Sequence, residues 1–211
     1  MPSSTKTKAK QDAITPSEAL ELLKAGNQRF VAGNMVERDL MEQVAQTGTG
    51  QYPFATILHC VDSRVSAELI FDQGVGDIFS VRIAGNFVNQ DILGSMEFAS
   101  RLAGSKCIVV LGHTSCGAIK GACDGAVLGN LTSLLEKLEP AVDAVEHPDD
   151  EAQRTSKNSE FVNQVARKNV ELTMRRITRK SKVLRAMVEM DEVLIVGGMY
   201  DVQTGTIDWL A

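Results

Sequence analysis

Long apolar runs are missing from this chain of 211 residues. No run approaches the roughly 18 residues that a membrane-spanning helix needs, so we expect no membrane partner. The opening stretch MPSSTKTKAK is basic and polar and lacks the apolar segment of a secretory signal. We therefore expect residues 1–14 to form a disordered or loosely attached tail, and we expect the protein to be cytoplasmic.

The chain also has fewer basic than acidic residues. Lysine and arginine number 22 against 27 acidic residues, which gives a formal net charge of −5. An acidic chain gives no reason to expect nucleic acid as a partner. The sequence also lacks internal repeats and low-complexity segments, and its length suits one domain.

Cysteine is sparse, with four residues at positions 60, 107, 116 and 123. None of them forms a Cys-x-x-Cys pair, which argues against a redox thiol protein. In a chain without a secretory signal, metal ligands, catalytic groups or packing residues are favoured over disulfides. Cys107 opens an apolar strand and Cys123 lies in a predicted helix, so we interpret both as packing residues.

Apolar runs and helical periodicity alternate along the rest of the chain. Strands are predicted at 54–58, 78–83, 107–111 and 193–196, with a last edge strand at 206–210 near the C-terminus. Helices are predicted at 15–33, 37–46, 66–73, 92–102, 117–123, 131–145 with an interruption at Pro140, and 159–190. This alternation predicts an α/β fold, a single domain over 15–211 with a mostly parallel central sheet flanked by helices.

Chemically distinctive side chains follow two of these strands. Cys60, Asp62 and Arg64 come after the first strand, and His113 and Cys116 come after the third. Ligands of open α/β sheets bind just beyond the carboxyl ends of the strands. Two thiolates and one imidazole leave one coordination position open, which is typical of catalytic rather than structural zinc. We therefore predict a zinc site with Cys60, His113 and Cys116 as ligands and water in the fourth position.

Asp62 and Arg64 have a predicted role beside this metal. If the chain stays extended after Cys60, alternate side chains share one side, and Arg64 would hold Asp62 ionised. Asp62 would then orient a zinc-bound hydroxide. His59 would point to the opposite face of the strand, as a packed or surface histidine. An alternative is a binding module with purely structural zinc, which would need a closed fourth ligand.

Three motifs carry a resemblance to a known family. They are Cys-Val-Asp-Ser-Arg at 60–64, Arg-Ile-Ala-Gly-Asn at 82–86 and Gly-His-Thr-Ser-Cys-Gly at 112–117. In this order, over nearly the whole chain, the sequence resembles the β-class carbonic anhydrases. The resemblance implies an enzyme with one Zn²⁺ per subunit that reversibly hydrates carbon dioxide to bicarbonate and a proton, by attack of zinc-bound hydroxide. It also implies a homodimer or homotetramer whose sheet extends across the dimer, with pockets lined from both subunits.

The same resemblance assigns roles to residues outside the ligand set. Gln51 would hydrogen-bond the substrate, and the backbone N–H of Gly117 would face it. Phe79, Ala84 and Phe98 would line an apolar pocket for carbon dioxide.

Two alternatives within the family stay open. In a second subclass the aspartate closes onto the metal beside a bicarbonate pocket that uses a Trp, an Arg and a Tyr. Ile57 stands at the Trp position here, although Arg64 and Tyr200 match the others. We therefore predict the open form, with Asp62 as fourth ligand only if a closed form exists. Other relatives hydrolyse carbonyl sulfide or carbon disulfide on the same centre, but those acting on carbonyl sulfide tend to carry alanine where Ser63 stands, which favours carbonic anhydrase.

Overall fold

The structure is a computed structural model that describes residues 5–210. Residues 1–4, the start of the predicted tail, and residue 211 lie outside the described range. Within that range, no helix combines the length and the apolar character needed to span a bilayer.

A single five-stranded sheet organises the chain, in the spatial order β2-β1-β3-β4-β5. The strands are β1 Ala55–His59, β2 Ile78–Arg82, β3 Cys107–His113, β4 Leu194–Tyr200 and β5 Ile207–Leu210. The first four are parallel, and β5 runs antiparallel to β4 as the predicted edge strand. Every residue of β1 and β3 is buried, as expected for central parallel strands covered on both faces.

Ten α-helices within residues 5–210 flank this sheet. They are α1 Lys8–Ala13, α2 Pro16–Val31, α3 Leu40–Thr47, α4 Ala67–Ile70, α5 Gln90–Glu97, α6 Gly117–Cys123, α7 Gly129–Leu135, α8 Glu139–Asp143, α9 Ser159–Lys180 and α10 Lys182–Glu189. A π-helical turn, Phe98–Leu102, continues α5, and a short 3₁₀ turn, Glu151–Gln153, precedes α9. Side chains of α9 and α10 pack on one face of the sheet, and those of α2 and α4 pack on the other. The predicted single-domain α/β fold with a mostly parallel sheet is confirmed.

The N-terminal segment differs from the loosely attached tail that we expected. Residues 8–13 form α1, and Gln11 in this helix is fully buried. Its Nε2 donates hydrogen bonds of 2.7 Å to the carbonyls of Pro53 and Ala103. The helix is therefore fastened to the amino end of the sheet by contacts with remote parts of the chain.

The single helix predicted over 159–190 is wrong, because the chain breaks at Ser181. This residue is extended, with φ −102° and ψ 112°, and it ends α9 and begins α10. Its Oγ accepts a hydrogen bond from the Leu184 N–H and donates one to Glu97 Oε1 at 2.6 Å. The Ser181 side chain thus bonds both a backbone N–H and a remote carboxylate. These two bonds favour a helix cap at Ser181 over a continuous helix.

The fourth strand is longer than predicted. Gly197 and Gly198, which follow the predicted strand 193–196, lie inside β4, and β4 continues to Tyr200. A Cβ on Gly197 would come within 2.6 Å of Met174 Sδ and 2.7 Å of Val170 Cγ1. The glycine therefore allows α9 to lie close against the strand, and it does not mark a turn.

Candidate functional site

Two adjacent parallel strands bring the predicted ligands to one edge of the sheet. In the register of β1 and β3, His59 lies beside Leu111. Cys60, which follows β1, therefore lies next to the last residues of β3. His113 is the last residue of β3, and Cys116 is the residue that precedes α6. The carboxyl ends of the strands thus converge where α/β sheets bind ligands.

The three predicted ligands form a compact buried cluster. Their ligand atoms all lie within 4.8 Å of one another, and the Sγ atoms of Cys60 and Cys116 are 3.9 Å apart. None of the three residues is more than 3% exposed. The structure thus brings together residues that could hold a metal ion, although they lie up to 56 positions apart in the chain.

The imidazole of His113 is oriented for coordination. Its Nδ1 lies 2.9 Å from the Thr114 carbonyl, which can only accept a hydrogen bond, so Nδ1 carries the proton. Nε2 is consequently left with its lone pair. This atom is buried and has no hydrogen-bond partner among the residues that the structure describes. A buried acceptor of this kind could bind a metal ion, and metal-binding histidines commonly donate a hydrogen bond through their second ring nitrogen in this way.

The two cysteines are electrostatically unequal. The hydrogen bond with Cys116 lowers the pKa of Cys60. The same bond, together with burial, raises the pKa of Cys116. The backbone N–H of Gly85 also donates to Cys60 Sγ, at 3.5 Å. These contacts favour ionisation of Cys60, and the thiolate is the form of cysteine that binds metals.

Asp62 lies at the rim of the cluster, fixed by Arg64. Arg64 Nε and Nη2 donate to the two carboxylate oxygens at 2.9 and 2.7 Å, and the Arg64 backbone N–H adds a third bond at 3.0 Å. The Arg64 side chain holds the pKa of Asp62 well below its usual range. Asp62 Oδ2 is 4.0 Å from His113 Nε2, so an ionised oxygen faces the cluster.

The Asp62–Arg64 pair forms for a different reason than the one we expected. β1 ends at His59, and the chain does not remain extended through Arg64. Instead it turns, with the Val65 N–H donating to the Asp62 carbonyl at 3.0 Å. The carboxylate accepts the Arg64 backbone N–H in this turn, which brings the guanidinium alongside.

Arg82 is a site residue that sequence reasoning missed. Its Nη2 donates to the Asp62 carbonyl at 2.9 Å and its Nε to the Cys60 carbonyl at 3.3 Å. Arg82 is the last residue of β2, so it ties the segment from Cys60 to Asp62 to the neighbouring strand. Arg82 is the first residue of the motif at 82–86, but the motif alone did not indicate that this arginine would contact the ligand segment.

Two of the predicted pocket residues lie beside the cluster. Ala84 immediately precedes Gly85, whose N–H reaches Cys60, and Gly117 immediately follows Cys116 at the start of α6. His59, in contrast, is buried with Nε2 2.7 Å from Ser80 Oγ, and burial lowers its pKa to about 4. It is therefore a packed neutral histidine, as the sequence indicated.

The remaining pocket residues do not reach the cluster within one chain. Gln51 precedes β1 by four residues, at the opposite end of a five-residue strand that spans roughly 16 Å. Phe79 is in register with Thr56, near the amino end of the same strand. Phe98 packs on Phe79, with ring centroids 6.2 Å apart, and is 53% exposed. Phe79 and Phe98 thus pack on each other at the edge strand β2, and Gln51 lies before the amino end of β1.

Comparisons with known proteins agree with this geometry. A family model described as carbonic anhydrase matches residues 55–207. Carbonic anhydrase 2 of Mycobacterium tuberculosis (strain CDC 1551 / Oshkosh) is 44% identical over 133 residues, which cover 60% of this chain and 64% of that protein. The match thus spans less than two thirds of that relative's length. A carbonic anhydrase of Pseudomonas aeruginosa is 31% identical over 174 residues, covering 77% of this chain and 75% of the relative.

Solved structures show the same fold. The b-carbonic anhydrase CafA of Aspergillus fumigatus aligns with a TM-score of 0.67 at 27% identity, over 92% of this chain and 89% of that one. A structure from a study of two tetrameric β-carbonic anhydrases of Sordaria macrospora aligns with a TM-score of 0.67 at 25% identity, over 81% and 90% of the two chains. With its motifs, its ligand cluster and these matches, the chain belongs to the β-carbonic anhydrase family.

Proposed function

We propose that this protein is a zinc enzyme that reversibly hydrates carbon dioxide to bicarbonate and a proton. The observation that carries the proposal is the buried Cys60–His113–Cys116 cluster, with the ionised Asp62 4.0 Å from His113. A structural zinc site would need a fourth protein ligand in place. The carboxylate of Asp62, beside the cluster, is engaged by Arg64 instead, which favours a catalytic centre.

Zinc fits the donor set of this cluster. Zn–S bonds of about 2.3 Å in tetrahedral geometry place two sulfurs roughly 3.8 Å apart. The Cys60 and Cys116 sulfurs are 3.9 Å apart, and the bare His113 Nε2 supplies the third donor. Thiolate and imidazole ligands favour zinc over magnesium or calcium. We assign one Zn²⁺ to each subunit.

The chain's own residues would direct the reaction around this centre. When bound, zinc supplies Lewis-acid activation of water near neutral pH. Asp62 would accept a hydrogen bond from the attacking water and so aim its lone pair at carbon dioxide. Because Arg64 keeps Asp62 ionised, the carboxylate remains an acceptor during turnover. The paired Arg64 also holds Asp62 off the metal, so we propose the open form, with Asp62 a ligand only if a closed form exists.

The substrate pocket would be assembled from two chains. Ala84 and Gly117 lie beside the metal ligands, whereas Gln51, Phe79 and Phe98 lie towards β2, whose outer edge is unpaired within residues 5–210. An unpaired edge and an exposed phenylalanine favour association with a second copy. We therefore propose a homodimer or homotetramer in which these three residues complete the partner's pocket. All four cysteines are free, which suits a reducing compartment, and we propose a cytoplasmic location.

Two measurements test the proposed function. Elemental analysis of the purified protein should find one zinc per chain, and stopped-flow assays should show carbon dioxide hydration that a chelator abolishes. Assays of carbonyl sulfide and carbon disulfide on the same preparation would separate the alternative hydrolase. A zinc-loaded protein that releases sulfide but does not hydrate carbon dioxide would overturn the assignment.

A further inference from the structure

The helix α9 lies directly on the strand that carries His113. Gly112 precedes this histidine, and a Cβ at Gly112 would come within 2.6 Å of Val170 Cγ2 and 3.6 Å of the Ala166 carbonyl. The absence of a side chain at Gly112 thus allows α9 to approach β3 closely. Polar side chains on this face of α9 can therefore reach the loops that hold the proposed metal.

Asn169 is a buried polar residue on that face. It is only 3% exposed and lies among the buried apolar side chains of α9, which include Val165, Ala166 and Val170. Its Nδ2 donates a 2.8 Å hydrogen bond to the carbonyl of Gly85. Burying an amide in an apolar layer is costly unless it is hydrogen-bonded, so this contact accounts for the position of Asn169.

The Gly85 carbonyl belongs to a turn that contacts a ligand. The Asn86 N–H donates to the Ile83 carbonyl at 3.0 Å, and Gly85 has φ +77°, which indicates a type II turn. In this turn the N–H of Gly85 points to Cys60 Sγ, at 3.5 Å. The carbonyl of Gly85 shares a peptide plane with the Asn86 N–H that closes the turn. By holding this plane, Asn169 stabilises the turn from which the Gly85 N–H reaches Cys60.

Asn163 makes the corresponding contact with the other ligand loop. Its Oδ1 accepts a hydrogen bond of 3.0 Å from the backbone N–H of Ser115. Ser115 lies between His113 and Cys116 and has φ +56°, a left-handed conformation that non-glycine residues seldom adopt. Such a conformation persists only where its surroundings fix it, and Asn163 is one of the groups that do so.

We propose that Asn163 and Asn169 are positioning residues through which α9 holds the two ligand-bearing loops in place for the metal. Asn169 acts on Cys60 through Gly85, and Asn163 acts on His113 and Cys116 through Ser115. The inference rests on the metal centre of the proposed function. Groups that contact the ligands directly typically change metal affinity about 10- to 100-fold when they are removed, and the two asparagines act one contact further out.

The two asparagines have different hydrogen-bond roles, so each can be tested with its own substitutions. Asn163 accepts a hydrogen bond, so Asn163→Asp retains an acceptor for Ser115, whereas Asn163→Leu removes it. Asn169 donates, and Asn169→Leu removes the donor while keeping a branched side chain with the same number of heavy atoms. Asn158 begins the same helix, where its Oδ1 accepts the Phe161 N–H. Asn158→Ala therefore weakens α9 without touching either loop, and it serves as the stability control.

The measurement is titration of the metal-free full chain with Co²⁺, followed by competition with zinc. We expect Asn169→Leu and Asn163→Leu to weaken Co²⁺ binding about 10-fold, the lower end of that range, and to shift the thiolate-to-cobalt absorption band. Asn163→Asp and Asn158→Ala should keep the wild-type affinity and spectrum. Thermal unfolding of each metal-free variant tests whether a loss of stability accounts for weaker metal binding.

Three outcomes would each overturn a different part of this argument. If the wild-type chain bound neither Co²⁺ nor zinc, the proposed metal centre itself would fail. If the wild-type chain bound metal and both leucine variants gave its affinity and spectrum, the metal centre would stand and the role of the two asparagines would be refuted. Equal losses in Asn163→Asp and Asn163→Leu would refute the hydrogen-bond role of Asn163.

Discussion

The two ends of β1 differ in how much of the proposed active site they supply. At the carboxyl end, Cys60 meets His113 and Cys116 with all ligand atoms within 4.8 Å, and one chain is sufficient. Towards the amino end, Gln51 is exposed and Phe98 is 53% exposed beside an unpaired edge strand. The predicted metal ligands are thus brought together by the fold of one chain, whereas we propose that the predicted substrate contacts come from a second. The following predictions separate these two contributions.

The largest effect is expected from removing a ligand at the carboxyl end. Cys116→Ser should lose zinc and all carbon dioxide hydration, because two ligands cannot retain the metal against water. Elemental analysis and stopped-flow kinetics measure both quantities. Cys123→Ser is the matched control, because this half-buried thiol lies outside the cluster and should keep zinc. Wild-type zinc content in Cys116→Ser would contradict the ligand set.

A large effect on catalysis alone is expected at Asp62. Asp62→Asn should keep zinc but lower kcat/KM about 10²- to 10⁴-fold, because the amide can donate a hydrogen bond to the attacking water and misdirect it. The comparison is between zinc content and hydration rate in one preparation. A near-normal rate in the zinc-loaded variant would remove Asp62 from the mechanism.

An intermediate effect should reveal whether Gln51 acts across the subunit boundary. Gln51→Leu should bind zinc normally and lose activity, since its side chain would serve the partner's pocket. Mixing Gln51→Leu with Cys116→Ser under conditions of subunit exchange should restore activity to about a quarter of wild type, since half of the dimers then carry one intact site of two. Failure to recover any activity after demonstrated exchange would place Gln51 outside the partner's site.

The smallest effect concerns the stability that the Asp62–Arg64 pair provides. The half-exposed Arg64 limits this contribution to no more than about 1 kcal/mol, measured against Arg64→Leu. Arg64 lowers the pKa of Asp62, so the stabilisation is complete above the unfolded-state pKa of about 3.9 and is lost as the pH falls towards the native-state pKa. Urea unfolding of both metal-free proteins should give a constant difference from pH 5 to 8 and a smaller one below pH 4. A difference that grows on acidification would contradict this linkage.

The accuracy of the sequence predictions depended on how local their physical basis was. The short motifs specified Cys60, His113 and Cys116, because the carboxyl ends of neighbouring parallel strands meet at one edge of the sheet. The docking of α1 was missed, because Gln11 bonds carbonyls 42 and 92 positions away. The contact of Asn169 with Gly85 was also missed, because it joins residues 84 positions apart and no local sequence pattern indicates it.

The sequence by itself determined the alternation of strands and helices, the donor atoms at the strand ends and the pairing of Asp62 with Arg64. These follow from periodicity and from chemistry within a few residues. Only the tertiary structure decided the distance between the two sulfurs, the break at Ser181 and the close approach of α9 to the ligand loops. Each of these depends on how remote segments pack, and packing distances are fixed by the shapes of side chains that meet only in the folded chain.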